Sequence, residues 1–284
     1  MITVFKHTLS RSRGAIIGWG LTMLLIGLMM VMFFDSIAEN AAQFQQLIDI
    51  YPPEMMAFFS ESGAFDFTTP EGFLSIEYFS FMPLILGVYA ILSGSGMLAA
   101  DEERGVLDLV AAQPISRSAL FLGRLLSIVV ALVLILVLGY VGIMAGTSYS
   151  TMELDPLVLL VPFTSMFALL AFLAGLALLL SMVLPSRGMA GMVGGIVLIA
   201  SFFLNGLANL NDTLAKVEPF LPTRYYQGEG WVAGLRMDWF LGLLAFGLGF
   251  MLLAWWAFQL RDIRVGGEGS WRLPFLRRKV AADS

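Results

Sequence analysis

The sequence predicts an all-α, polytopic membrane protein with six transmembrane helices and both termini on the cytoplasmic side. Three observations carry this prediction. Of 284 residues, 58% are hydrophobic and 13% charged, with mean hydropathy +0.85. That is more apolar surface than one soluble core hides, so the bilayer must act as part of the solvent. Six apolar runs, at about residues 14–34, 79–100, 119–146, 157–184, 189–210 and 239–260, are each long enough to cross hydrocarbon. The charges between the runs sort by sign.

The first run follows Lys6, Arg11 and Arg13 in the manner of a signal peptide, but its 21 uncharged residues span about 30 Å at 1.5 Å per residue. No A-x-A-like cleavage site follows, so it reads as a retained helix. Segment 35–77 holds eight acidic residues and no Lys or Arg, which places it outside. Alternation then puts the N-terminal tail, loop 101–124, the turn at Arg187 and the tail 261–284 inside, with 13 of the 16 Lys and Arg. The opposite orientation inverts this bias. Segment 35–77 also carries helix signals: an amphipathic pattern over 38–50, and Thr69-Pro70-Glu71 as an N-cap, a Pro at the first helical position and an early acid. Short amphipathic helices on the outer bilayer surface are expected there. Run 157–184 is expected as one tilted span. Segment 211–238 mixes Pro219 and Pro222 with Tyr225, Tyr226 and Trp231, suited to the headgroup region, and a re-entrant hairpin is one reading of it. No repeat is evident, so residues 1–284 read as a single transmembrane domain.

Zero cysteines exclude a disulfide framework, an iron–sulfur cluster, a thiolate zinc site and a Cys nucleophile. The single His7 cannot form a histidine metal cluster. There is no H-E-x-x-H, and none of Lys6, Lys216 and Lys279 follows the glycine a phosphate-binding loop needs. No catalytic residues, metal site, bound cofactor or nucleic-acid partner is expected. Within the spans the only ionisable residue is Arg124, near an end and expected to snorkel. The absence of an intramembrane carboxylate disfavours an ion-coupled transporter. Gly142 with Gly146, Gly191 with Gly195, and Ser93 to Gly96 are read first as intramolecular helix packing. Asn205 and Asn209 are read as bonding to neighbouring helices rather than lining a polar path.

The loop 101–118 is the most informative stretch. Its acids lead, as suits the positive end of a helix dipole. Val106, Leu109 and Val110 then share a helical face with Leu107 and Ala111 beside it. Pro114 ends the pattern and Ser116 is placed to cap the next helix. Two readings stay open on these grounds: an interfacial anchor, or a docking helix for a partner.

The same stretch resembles the signature of ABC-2 type permeases, the membrane subunits of one class of ATP-binding cassette transporters. Glu102, Glu103, Gly105, Leu107, Asp108, Leu109, Pro114, Ile115, Ser116 and Arg117 match its order and spacing. Val106 stands where Thr is usual, and Gly123-Arg124 where the family commonly has Gly-Lys. The resemblance implies a permease half in a prokaryotic-type plasma membrane, paired with a second permease subunit. It further implies separate ATPase subunits that hold ATP and Mg, with efflux as the default direction. Residues 102–112 are then the transmitting helix. Val106, Leu109 and Val110 fill a groove on the ATPase, and the acids pair at its rim. Segment 1–13 is a candidate second contact. In the tail, Arg272, Arg277, Arg278 and Lys279 are assigned to anionic lipid or the same partner. The rival classes are an ion-coupled secondary transporter and a membrane scaffold.

Overall fold

The computed structural model describes residues 1–48, 50, 68–103, 105 and 115–260. Among these, helix is the regular secondary structure and six helical runs are long and apolar enough to cross a membrane. The first, α1 (Ile2–Glu39), is longer than hydropathy alone suggests: its 38 residues extend about 57 Å at 1.5 Å per residue. Hydropathy changes at Gly14, but no Pro and no Gly lies between Ile2 and Arg13 to break the backbone. Lys6, Arg11 and Arg13 therefore stand on the same rod as the first span. A short α2 (Ala41–Ile48) follows, within the predicted 38–50.

The second span begins earlier than expected. Thr69 caps α3 (Pro70–Leu74), its side chain accepting the Gly72 N–H at 3.2 Å, as the local signal requires. This helix does not lie on the surface. Phe73 and Leu74 are buried, and the chain continues through a π-helical turn, Ser75–Phe79, into α4 (Met82–Gly96). Phe79 packs edge-on against Phe163 and Trp231, and Tyr78 against Phe163. That aromatic burial draws 70–78 into the bundle. One consequence bears on an expectation: Glu71 and Glu77 stand on the helical run that continues the second span, so carboxylates are carried on that run ahead of the apolar stretch 79–100.

The remaining starts follow their caps. After the short α5 (Ala99–Glu103), α6 (Arg117–Thr147) is capped by Ser116, which accepts from the Ala119 N–H at 3.2 Å. Asp155 caps α7 (Pro156–Val183) through the Leu157 N–H at 2.8 Å. This helix stays continuous past Pro162, so 157–184 is one span. Ser186 caps α8 (Arg187–Ala208). After α9 (Asp212–Ala215), α10 (Met237–Leu260) is the last described helix.

Helix α7 is the core element, buried along most of its length, with α4, α8 and α10 around it. Helix α1 packs along α6. Glycine permits that approach: a Cβ at Gly142 would run into the backbone of Leu24 on α1, and one at Gly146 into Val31. In the absence of a hydrophobic drive between helices in lipid, such close contact supplies much of the association. The intramolecular reading thus holds for Gly142 and Gly146. It does not hold for Gly195, where a side chain would meet nothing.

Segment 211–238 is not a helical hairpin. Three 3-10 turns, Glu218–Phe220, Pro222–Tyr225 and Trp231–Ala233, plug the ends of the spans. Trp231, only 2% exposed, donates its indole N–H to Ser75 Oγ at 2.9 Å. The Gln227 N–H binds Ser165 Oγ at 2.9 Å, and the Thr223 N–H binds Ser201 Oγ at 3.1 Å. Burial, and secondarily Tyr78, pushes the Tyr226 hydroxyl well above its ordinary range. It therefore stays a donor to the Phe79 carbonyl at 3.1 Å.

Candidate functional site

Charge gathers where the N-terminal part of α1 meets the ends of α4 and α6. Helix α4 ends at Gly96, and a turn at Met97 and Leu98 redirects the chain into α5. The Met97 carbonyl accepts Arg124 Nη1 at 2.7 Å. Asp101, on α5, receives Arg124 Nη2 at 2.6 Å on one oxygen and Arg11 Nη1 at 3.2 Å on the other. Asp101 is 6% exposed and Arg124 8%, so snorkelling is not the solution Arg124 adopts. Its guanidinium is held inside, because a desolvated charge tolerates burial only with a partner and filled hydrogen-bond positions. A second bridge joins Glu103 to α8: its carboxylate pairs with Arg187 Nε at 3.2 Å and accepts the Arg187 N–H at 2.9 Å. The short α5, which opens loop 101–118, is thereby fastened to three spans.

The predicted docking residues divide around this cluster. Glu102 is half-buried on α5 and Glu103 is exposed. Gly105 has φ +65°, and its N–H binds the Glu102 carbonyl at 3.0 Å. A left-handed residue cannot continue a right-handed helix, and Gly is the residue that takes this conformation at little cost. The acids therefore close α5, and Gly105 interrupts the continuous helix expected over 102–112. Val106, Leu107, Asp108, Leu109, Val110 and Pro114 lie outside the described residues, as do Arg272, Arg277, Arg278 and Lys279. Ser116 acts as the predicted cap. Arg117 turns inward: it donates to the carbonyls of Phe258 and Gln259 at 3.2 and 3.3 Å and lies over the Phe258 ring. It thus satisfies carbonyls that the last turn of α10 leaves open.

Sequence reasoning missed Asp101, Arg11 and Arg187 as a connected set. One signal was available: a buried Arg124 requires an anion, and Asp101, Glu102, Glu103 and Asp108 precede it in the chain, but the choice of Asp101 among them comes from the fold. Proximity of Arg11 and Arg187 comes only from the fold.

At the opposite end, a cavity of about 490 Å3 opens between α8 and the plug. Asn205 lines it, and its Oδ1 is buried with no hydrogen-bond partner among the described residues. The preferred reading of Asn205, a bond to a neighbouring helix, therefore fails for this oxygen. Across the cavity, Arg236 stacks 3.7 Å over the Trp239 ring, with Arg224, paired to Glu218, on the same ring at 5.8 Å.

The family model described as ABC-2 family transporter protein matches residues 2–262, which takes in all six spans. The chain belongs to that family. No curated protein matches the sequence. As an ABC-2 family member with six apolar helices, the chain is a multi-pass membrane protein of a transporter, not itself a catalytic enzyme, and membership implies an ABC ATPase partner. The charged cluster takes in the first residues of the loop that carries the family-like sequence, Asp101 and Glu103.

Proposed function

We propose that this ABC-2 protein is the permease half of an exporter in the plasma membrane, with cytoplasmic termini and a second permease subunit beside it. ATP and Mg are bound by separate ATPase subunits that dock on the segment beyond Gly105, through Val106, Leu109 and Val110. One observation carries the reading. The residues entering that segment are tied through Asp101 and Glu103 to Arg11 on α1, Arg124 on α6 and Arg187 on α8. A push on the loop is thus delivered to three spans together, along an ion-paired and packed path rather than through a slack linker. The physical logic of docking is an amphipathic helix seated in an apolar groove.

The test is to co-express the chain with its ATPase and replace Leu109→Asp and Val110→Asp. Complex formation is expected to be lost while membrane insertion persists. Undiminished copurification of the ATPase rejects docking at this segment. Glu77 gives the ion-coupled alternative one observation in its favour. Transport driven by an ion gradient with no ATPase present would establish that alternative.

A further inference from the structure

Beside the charged cluster lies an open cleft of about 740 Å3 that the coupling role does not use. Its walls are the first four turns of α1, the last two turns of α4 and the first four turns of α6. Tyr89, in its α4 wall, packs against Trp19 of α1 with ring centroids 5.7 Å apart. Positions 3, 7, 8, 11 and 12 repeat at helical spacing, so Thr3, His7, Thr8, Arg11 and Ser12 form one polar stripe, and that stripe lines the cleft.

The electrostatics favour an anion. Three guanidiniums, from Arg11, Arg124 and Arg187, line the cleft with one carboxylate, Asp101, while Glu103 holds Arg187 from the rim. Arg124 commits both terminal nitrogens to Met97 and Asp101. Arg11 commits only Nη1 and keeps a half-exposed side chain. Arg187 engages Glu103 through Nε. The two arginines at the mouth therefore retain N–H donors in the planar array that matches phosphate oxygens.

The position favours a lipid as the source of that anion. Arg11 and Ser12 sit just before the apolar run that starts at Gly14, at the level where phospholipid phosphates lie. The cleft opens sideways past Leu92, 60% exposed. One turn back on the same face of α4, Val88 is a further exposed apolar residue, so Leu92 and Val88 make a track on which an acyl chain can lie. A free anion has no use for that apolar track. We propose that this cleft binds the phosphate of an anionic phospholipid of the adjacent leaflet, with Arg11 and Arg187 as the phosphate ligands and an acyl chain running along Leu92 and Val88 of α4.

The test is native mass spectrometry of the full-length chain with matched-chain phosphatidylglycerol and phosphatidylcholine. The background carries Arg272→Gln, Arg277→Gln, Arg278→Gln and Lys279→Gln, so that the basic tail does not supply the signal. Phosphatidylglycerol is expected to be retained about five-fold or more over phosphatidylcholine, given what one basic residue near a membrane surface contributes. Arg11→Gln should lower that retention about five-fold, and Arg11→Lys, which keeps the charge but not the planar array, should restore part of it. Inorganic phosphate in millimolar excess should not compete. Equal retention of the two lipids, an Arg11→Gln protein that still discriminates, or displacement by inorganic phosphate alone overturns the assignment to lipid. The Arg11→Lys arm separates loss of charge from loss of fold.

Discussion

Removing one partner from the buried pair of Asp101 and Arg124 is expected to cost more than removing both. In Asp101→Leu the guanidinium of Arg124, with 9% of its side chain exposed, keeps only the Met97 carbonyl. An uncompensated buried charge of this kind costs about 3–5 kcal/mol. Arg124→Met should cost less, because Asp101 keeps Arg11 at 3.2 Å, a half-exposed pair worth up to about 1 kcal/mol. The double variant Asp101→Leu, Arg124→Met replaces the pair by apolar side chains and should fall within about 1 kcal/mol of wild type. Denaturant unfolding in mixed micelles, followed by tryptophan fluorescence, gives the four corners of the cycle. An Asp101→Leu protein within about 0.5 kcal/mol of wild type, or a double variant equal to the sum of the singles, refutes the buried-pair reasoning. The double variant also separates stability from transmission. It should fold and hold its ATPase, yet lose the link between ATP hydrolysis and movement of the spans.

Gly142→Val should destabilise by about 1–3 kcal/mol or more, since the new side chain meets the Leu24 backbone rather than a flexible side chain. Gly195→Val, which meets nothing, serves as the near-neutral control in the same unfolding assay. Trp231→Phe keeps the ring contact with Phe79 but loses the bond to Ser75, for about 1 kcal/mol by the same measurement. Hydrogen bonds from the Thr151 side chain, Ser150 and the Thr151 N–H hold the Asp35 carboxyl below its usual range. A depressed carboxylate stabilises above its unfolded pKa, and the benefit goes as pH falls through the folded value. Thermal scans across the acid range should therefore show a wild-type loss of midpoint that Asp35→Ala lacks.

Most of the spans were legible because a bilayer imposes a length and a composition that any sequence displays. Caps were equally plain: Ser116 and Thr69 announce helix starts through a side-chain oxygen and a three-residue offset. Where reading failed, tertiary contact had overridden a local signal. Thr69-Pro70-Glu71 reads as the start of a surface helix. Only the aromatic packing of Tyr78, Phe79, Phe163 and Trp231 turns 70–78 into the head of the second span. Acids at 101–103 read as the start of a docking helix. The left-handed Gly105 instead ends their helix, and Asp101 becomes the counter-ion of Arg124. Hydropathy treated Arg124 as an end residue free to reach water, because the positions of Asp101 and Arg11 in space are not local information. Asn205 shows the same limit, since a polar residue near a helix end does not declare whether it faces a neighbour or a cavity.

The central claim is that an ATPase engages the segment just beyond Gly105. The native chain has no cysteine, so single-cysteine variants Val110→Cys and Ser150→Cys can each be co-expressed with the ATPase and treated with a short thiol-to-amine crosslinker. The account predicts a crosslinked permease–ATPase product from Val110→Cys and none from Ser150→Cys, which lies at the other end of the bundle. A product from Ser150→Cys, or none from Val110→Cys in a complex that copurifies intact, would contradict it.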